Sequence, residues 1–379
     1  MRGIAFPRPL LYQWAMAGDP EIPESDRLGD LPHPRSRGEL FGHGDAEARF
    51  VDAFRGGHLA HAWVLAGPRG IGKATLAYRM ARFMLRQPHA AAGQGLDMAP
   101  GDPVFQRVAS LGHPDLLVLR RPWDPERKRP KAVIPVEEVR RAGGFFAKSA
   151  GEGGWRVCVV DSVDDLNANG FNALLKAVEE PPDKSLFVIV CHAPGNLPAT
   201  IRSRCRVMNL RPPADDVADR LVAEHFPDLP HGDRRALVRL ASGSPGQALS
   251  LAMAGGLDLY RAMVGLIAEL PRLDVPALHG FADTAVRRGD DGFRVTMELL
   301  AGWLARLVRE TAAETPGQDD FAPGETEAMR RLAGRGSLDR WIELWEKVNR
   351  ALAEAEALNL DRKQVVLNAF SGLQTAAQS

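Results

Sequence analysis

A run of eight residues, GPRGIGKA from Gly67 to Ala74, nearly matches the phosphate-binding pattern G-x-x-x-x-G-K-[S/T]. In that pattern the glycines let backbone N–H groups surround phosphate oxygens, the lysine reaches the β- and γ-phosphates, and the final hydroxyl holds Mg²⁺. Gly72 and Lys73 occupy the expected positions, but Ala74 replaces the hydroxyl residue. The run therefore predicts phosphate binding with a damaged magnesium site.

The elements around this loop are the ones that would position it. Residues 61–66 form a short apolar run that predicts a buried strand, and residues 75–81 have the apolar spacing of a helix. A helix N-terminus that follows such a loop presents free N–H groups and a favourable dipole to an anion. The candidate nucleotide-binding residues are Gly67, Gly70, Gly72, Lys73 and Thr75.

A second motif for nucleotide chemistry lies at residues 156–161, where an apolar strand ends in an acid, Asp161. Such a carboxylate orients the ligand shell of Mg²⁺. A glutamate that polarises the attacking water normally comes next, but here the next residue is Ser162. Asp164 follows two residues later, and we expect it to point elsewhere. Asp161 thus joins the candidate nucleotide-binding residues without the base that hydrolysis needs.

Strand and helix patterns alternate along the first half of the chain. Apolar strand candidates at residues 115–119, 156–161 and 185–190 are separated by helical or loop-like stretches. This order predicts an α/β fold with a parallel sheet. Beyond residue 213 no strand is expected, and helical patterns with apolar stripes continue to the end.

These patterns divide the chain into four parts. Residues 1–36, rich in Pro, Asp, Glu and Gly, are predicted to form a flexible arm, and we interpret Met16 as the true start. An α/β domain is predicted at residues 37–212, a small helical domain at 213–270 and a larger helical domain at 271–379.

Composition excludes several classes of protein. Lys and Arg together number 48, as do Asp and Glu, which argues against an autonomous DNA binder with a large basic field. The three cysteines are scattered without C-x-x-C spacing, so they indicate free thiols in a reducing cytosol and neither a disulfide framework nor a zinc site. No apolar run approaches the ~20 residues that span a bilayer. We therefore expect a cytoplasmic protein.

Three further segments resemble the clamp-loader branch of the AAA+ ATPases. They are NALLKAVEEPP at residues 172–182, LPATIR at 197–202 and SRC at 203–205. With the P-loop, the resemblance covers roughly residues 40–250, and the helical C-terminal third resembles the collar of the same family. It implies an AAA+ P-loop domain followed by a helical lid and an all-α collar that mediates oligomerisation.

The resemblance also implies roles and partners. Arg204, between Ser203 and Cys205 of the SRC motif, matches the arginine finger that reaches into the ATP site of a neighbouring subunit. The implied partners are other clamp-loader subunits, among them an ATPase subunit and a clamp-opening subunit, and, through the complex, a sliding clamp and primed DNA. The alternative for Arg204 is a surface ion pair.

The sequence departs from active members of that family at several positions. Besides Ala74 and Ser162, the strand end called sensor 1 carries Cys191 and His192, and Gly246 stands where active members have the sensor-2 arginine. We interpret His192 as a hydrogen-bonded structural histidine. Together these changes predict that the chain does not hydrolyse ATP.

The predicted cofactor requirements follow from the same residues. Because the loop backbone and Lys73 are retained, ATP or ADP can still bind, while Mg²⁺ has lost its hydroxyl ligand. No cysteine lies between Lys73 and Cys158, so the zinc module of the family is absent and no zinc is expected. The rival interpretation is a working ATP-hydrolysing motor subunit in which Thr75 serves Mg²⁺.

A weaker signal comes from basic residues after the second strand candidate. Arg140 and Arg141 are candidate DNA contacts, and a basic stretch at residues 120–131 precedes them. Clamp loaders grip primed DNA through its phosphates, so such residues could serve that purpose. A solvated surface is the alternative.

Overall fold

The computed structural model describes residues 23–86, 95–312, 320–358 and 360–378. Met16 and the first 22 residues of the expected arm lie outside the described residues. The strands in these ranges are β1 (Ala62–Ala66), β2 (Leu116–Arg120), β3 (Trp123–Asp124), β4 (Arg129–Pro130), β5 (Arg156–Asp161), β6 (Ser185–Cys191) and β7 (Arg206–Asn209).

Five strands form one sheet in the order β2-β5-β6-β1-β7, and every neighbouring pair is parallel. The predicted parallel α/β fold is confirmed. β1, β5 and β6 are buried along their whole length, as continuous apolar runs predict. The sequence analysis does not predict β7, an edge strand that pairs with β1. β3 and β4 form a separate two-stranded antiparallel hairpin.

Helices cover both faces of this sheet, because successive strand residues point to opposite sides. Trp63 and Leu65 of β1 belong to one apolar cluster, whereas Val64 belongs to the other. The first cluster includes residues of α1 and α2, and the second includes residues of α4 and α5. The helices of this domain are α1 (Gly44–Arg55), α2 (Lys73–Leu85), α3 (Pro103–Ala109), α4 (Val136–Phe146), α5 (Ala168–Glu179) and α6 (Ala199–Arg202).

The rest of the chain is helical, as predicted. One apolar cluster extends from Ala218 to Ala377, so the expected lid and collar share a continuous core, in which Trp303 and Trp341 are fully buried. The helices are α7 (Asp215–His225), α8 (His231–Leu240), α9 (Pro245–Met253), α10 (Gly256–Ala268), α11 (Val275–Arg287), α12 (Gly289–Ala312), α13 (Glu325–Ala333), α14 (Leu338–Leu358) and α15 (Arg362–Gln378).

Among the described residues no single helix is long and apolar enough to cross a bilayer. α9 and α10 together reach that length and composition, but they are bent by 79° at their junction.

Residues 23–38, which we name the strap, differ from the flexible arm expected there. Two buried arginines of α2 hold the strap: Arg82 donates hydrogen bonds to the carbonyls of Arg35 (2.9 Å) and Arg37 (2.8 Å), and Arg79 donates to the carbonyl of Gly38. Because its backbone and charged groups find partners on the domain, this segment is packed.

The acidic residues of the strap anchor its other end. Arg120, the last residue of β2, forms ion pairs with Asp26 (2.7 Å) and Glu24 (2.6 Å), and His33 lies 3.0 Å from Asp26. The Asp26 side chain is only 3% exposed. The acidic end of the strap therefore lies at the carboxyl end of β2, on the edge of the sheet where the nucleotide motifs also lie.

Candidate nucleotide-binding site

The P-loop has the backbone that its sequence predicts. Gly67, Gly70 and Gly72 all have positive φ angles (152°, 79° and 101°), and α2 begins directly after Gly72. A Cβ atom on Gly67 would lie 2.4 Å from the carbonyl oxygen of Leu210, so this turn requires glycine. The loop thus presents the helix N-terminus that favours an anion.

Lys73 folds back onto the loop. Its buried Nζ donates hydrogen bonds to the carbonyl oxygens of Gly67 (2.6 Å) and Pro68. Burial lowers the pKa of Lys73 to about 8, and the nearby carboxylates of Asp161 and Asp164 act in the opposite direction. The ammonium group is therefore still mainly charged at neutral pH and is held within the loop.

A cleft of about 1390 Å³ collects the nucleotide motifs. The candidate residues Gly70, Gly72, Lys73, Thr75 and Asp161 all line it, together with the strap and with residues of β3 and β4. Ala74 also lines the cleft and offers only a methyl group. Thr75, the residue after Ala74, is 8% exposed, so its hydroxyl lies at the wall of the cleft.

Asp161 ends β5 inside this cleft. Burial raises the pKa of its carboxyl group to about 7, and the neighbouring carboxylate of Asp26 on the strap acts in the same direction. A carboxyl group that is partly protonated at neutral pH is a weaker ligand for a divalent cation than an ionised one. Asp161 alone therefore makes a poor magnesium site, and within the described ranges no group of three or more His, Cys, Asp and Glu residues could hold a metal ion.

The two carboxylates that follow Ser162 most closely, Asp164 and Asp165, are engaged in hydrogen bonds. Ser162 donates from Oγ to Asp165 (3.1 Å). Asp164 accepts hydrogen bonds from the backbone N–H groups of His192 (2.6 Å) and Ala193 (2.8 Å), so it ties the loop after β5 to the end of β6. Both carboxylate oxygens of Asp164 are thus engaged by backbone N–H groups, and Asp164 is not among the residues that line the cleft.

The prediction for His192 is wrong in one respect. Its Nδ1 is buried and has no hydrogen-bond partner among the residues that the structure describes. Burial, with the positive charges of Lys73 and Arg69, lowers the pKa of His192 to about 3. His192 is therefore a neutral side chain at the cleft wall, not a hydrogen-bonded structural residue.

The N-terminus of α9 lies directly on the P-loop. The backbone N–H of Gly246 donates to the carbonyl of Gly70 (2.9 Å), and Ser244 Oγ donates to the carbonyl of Arg69 (2.7 Å). A Cβ atom on Gly246 would lie 2.8 Å from the Cα of Gly70. Any side chain at this position, where active members have the sensor-2 arginine, would therefore have to displace the backbone of Gly70, a contact that sequence alone does not reveal.

Arg204 is not among the residues that line this cleft and lies two residues after the end of α6. Its side chain is 40% exposed and forms an ion pair with Glu179 of α5 (3.0 Å), while Nη1 donates to the carbonyl of Thr200 (3.1 Å). Ser203 Oγ also donates to Thr200 (3.1 Å), and burial raises the pKa of Cys205 to about 11. Exposed ion pairs of this kind contribute about 0–1 kcal/mol.

The two DNA-contact candidates lie on α4, outside the cleft lining. Both are exposed, and Arg141 forms an ion pair with Glu138 one turn earlier on the same helix. The structure thus separates three groups that the sequence treats together: the P-loop cleft, the SRC surface and the α4 arginines.

Comparison with known proteins shows that part of this chain is similar to subunits of DNA polymerase III. Residues 42–214 match the family model described as "DNA polymerase III, delta subunit". DNA polymerase III subunit delta' of Pseudomonas aeruginosa is 36% identical over 187 residues, which cover 49% of this chain and 54% of that protein. The delta' subunit of Escherichia coli K12 is 32% identical over 206 residues, covering 54% and 58%.

A second kind of relative matches more of the chain at lower identity. DNA polymerase III subunit gamma/tau of Mycobacterium tuberculosis H37Rv is 27% identical over 344 residues, which cover 82% of this chain and 57% of that protein. The chain therefore spans only a little more than half the length of each of these relatives. It is related to DNA polymerase III subunits, and the comparisons do not separate delta' from gamma/tau.

Proposed function

Because its α/β domain is related to DNA polymerase III subunits, we propose that the chain is the delta' subunit of a bacterial clamp loader. In this role it does not hydrolyse ATP but supplies Arg204 as an arginine finger to the ATP site of an adjacent ATPase subunit. The complex, which also contains a clamp-opening subunit, opens a sliding clamp and places it on primed DNA during replication.

One observation carries this proposal: Arg204 is exposed on a surface outside the chain's own P-loop cleft. An arginine placed there serves a site on another molecule more readily than its own. The ion pair with Glu179 does not prevent this, because an exposed pair is worth only about 0–1 kcal/mol. A finger, by contrast, can accelerate phosphoryl transfer by about 10³–10⁵-fold.

The chain's own cleft supports the absence of hydrolysis. Loss of a positioned general base, here replaced by Ser162, typically lowers the rate about 10²–10⁴-fold. Loss of an electrostatic stabiliser, such as the sensor-2 arginine that Gly246 replaces, lowers it about 10²–10³-fold. Such losses are not additive, yet together they leave no useful turnover. Ala74 and the raised pKa of Asp161 further weaken any magnesium site.

Nucleotide binding is less affected than hydrolysis. The loop backbone and Lys73 keep the groups that contact phosphates, so ATP or ADP would be held by exchanging the bonds from Lys73 to Gly67 and Pro68 for bonds to phosphate oxygens. This binding requires neither Mg²⁺ nor zinc.

The second candidate is an active ATP-hydrolysing motor subunit. The match to gamma/tau over 82% of the chain favours it, as does the place of Thr75 at the cleft wall. In that case Thr75 would supply the hydroxyl for Mg²⁺, and some group other than Ser162 would activate water.

Steady-state ATP hydrolysis by the purified full-length chain separates the two candidates. The delta' proposal predicts a rate no higher than that of a Lys73→Ala variant, because neither protein has a complete site. Turnover by the wild-type chain that Lys73→Ala abolishes would establish the motor subunit instead. Thr75→Val then serves as the matched control, since only the motor candidate assigns that hydroxyl a role.

A further inference from the structure

The stretch that we name the basic hairpin, residues 121–131, carries five cationic side chains and two acidic ones. The cations are Arg121, Arg127, Lys128, Arg129 and Lys131. Four of them fall within five positions at its tip and second strand. The chain as a whole has no excess of either charge, so this local concentration stands out from the rest of the surface.

The basic hairpin has a defined backbone. Trp123 pairs with Pro130 and Asp124 with Arg129, and the N–H of Lys131 donates to the carbonyl of Pro122 (2.8 Å). The turn between the strands is closed by Asp124, whose carboxylate accepts the backbone N–H groups of Glu126 (3.0 Å) and Arg127 (3.1 Å). These bonds fix the turn, so the cations are presented from a formed element.

The cations of the tip are free to bind an external anion. Arg127, Lys128 and Lys131 are exposed and Arg129 is half-buried, and none of the four forms an ion pair with a residue in the described ranges. Arg121, at the base, differs because it lies 3.7 Å from Asp165. Asp124 of the same hairpin lies near enough for the charges of Arg127 and Lys131 to help lower its pKa. A polyanion bound to the tip would nevertheless break no ion pair of these four cations within the described ranges.

The position of the basic hairpin extends this surface towards the P-loop. The four tip residues line the same cleft as Arg69, an exposed residue of the P-loop itself. Cations from two separate elements thus border one opening. By contrast, Arg141 on α4 is already paired with Glu138 and lies outside this opening.

We propose that the basic hairpin, with Arg69, is a phosphate-contact surface for primed DNA. The choice of DNA rests on the proposed function, whereas the assignment to this element rests on the unpaired cations and their position. Each phosphate neutralised on B-DNA contributes about 0.9 to the slope of log affinity against log salt concentration. Removing two cations should therefore reduce the magnitude of that slope by about 2 if both touch phosphates.

Binding of the full-length chain to a fluorescent primed oligonucleotide, measured by anisotropy over a series of salt concentrations, tests the proposal. The variant is Arg127→Gln with Lys128→Gln. Its control is Lys347→Gln with Arg350→Gln, which removes the same charge from an exposed face of α14. We expect the hairpin variant to bind about tenfold or more weakly at low salt, with the flatter slope, and the control to match the wild type.

The proposal would be overturned by an absence of binding by the wild-type chain at low salt, by an unchanged slope in the hairpin variant, or by an equal loss in the control. A loss confined to Arg140→Gln with Arg141→Gln would also overturn it, because it would assign the contact to α4. ATP turnover by the isolated chain would refute only the delta' proposal. It would not change what the anisotropy measurement says about the basic hairpin.

Discussion

Substitution of Gly246 by alanine tests how tightly α9 is fastened to the P-loop. The added Cβ would lie 2.8 Å from the Cα and 2.9 Å from the carbonyl oxygen of Gly70, which are backbone atoms that cannot rotate away. Overpacking of this kind costs about 1–3 kcal/mol. If the added Cβ pushes α9 away from the P-loop, it also weakens the hydrogen bond from the Gly246 N–H to the Gly70 carbonyl, which is worth about 0.5–1.5 kcal/mol.

A gain in helix propensity opposes this cost. Alanine is favoured over glycine in a helix interior by about 1 kcal/mol, and by less in a first turn such as that of α9. The net loss in local stability is therefore roughly 1–3 kcal/mol, taken from the overpacking range. Because about 1.4 kcal/mol corresponds to a tenfold change in an equilibrium constant, the opening between α9 and the P-loop should become about 5- to 150-fold more frequent.

Hydrogen exchange measured by mass spectrometry on the native protein reads this opening directly. Peptides that contain residues 67–73 and 244–249 should exchange faster in Gly246→Ala, while peptides from the sheet strands should not. Gly265→Ala is the matched control: it lies in α10, and a Cβ there meets no atom within 4 Å. The control should exchange at the wild-type rate or more slowly.

Wild-type exchange rates in Gly246→Ala would refute the reasoning, since they would mean that α9 does not rest on Gly70. Equal acceleration in Gly265→Ala would refute it as well, by removing the link to the P-loop contact.

The remaining predictions concern the strap. Asp26→Asn removes the charge that pairs with Arg120 and His33, so we expect the packing of the strap to be weakened by about 1–3 kcal/mol. Trypsin should then cleave after Arg35 correspondingly faster. The control Glu343→Gln, which removes one partner of an exposed ion pair on α14, should leave the cleavage rate unchanged. Burial alone would raise the pKa of Asp26, but the hydrogen bond and charge of His33 and the charge of Arg120 outweigh it and lower that pKa below 3.8. The difference in strap stability between the wild type and Asp26→Asn should therefore be fully present above about pH 5 and should disappear as the pH falls through and below 3.8. A difference in cleavage rate that persists in acid would contradict the assignment of this effect to the ionised Asp26.

The sheet and the P-loop could be predicted because their signals are local. β5 and β6 are continuous apolar runs, and the P-loop glycines occupy positions that only glycine can adopt without strain. β7 could not be predicted in the same way. It is a four-residue edge strand whose first and last side chains are exposed, so it shows neither a long apolar run nor regular burial.

The features that the sequence analysis misses depend on contacts between distant segments. The strap is rich in residues typical of mobile loops, and its order comes from Arg79, Arg82 and Arg120, which lie on other elements. α3 lies in a region that reads as a loop, and its start is fixed by Asp102, which caps Val104 (2.8 Å), followed by proline at the first helical position.

The contact between Gly246 and Gly70 shows the same limit most clearly. From the sequence, Gly246 shows only that the sensor-2 arginine is missing, whereas in the fold it is the residue at which α9 contacts the P-loop. A gap of 176 positions separates the two residues along the chain. Periodicity and propensity report on neighbours within a turn or two of the chain, so they carry no information about such an approach.

The measurement that tests the central claim most directly uses Arg204→Ala in a clamp loader reconstituted with this chain. The matched control is Arg202→Ala, which removes a nearby exposed arginine, the last residue of α6. Both variants should fold and assemble like the wild type, because Arg204 loses only exposed interactions: the ion pair with Glu179 and hydrogen bonds to the Thr200 carbonyl and to Ser203 Oγ. The account predicts that hydrolysis at the adjacent ATP site falls by roughly 10³-fold or more in Arg204→Ala and that clamp loading falls with it, while Arg202→Ala retains both. Normal hydrolysis and loading with Arg204→Ala would contradict it.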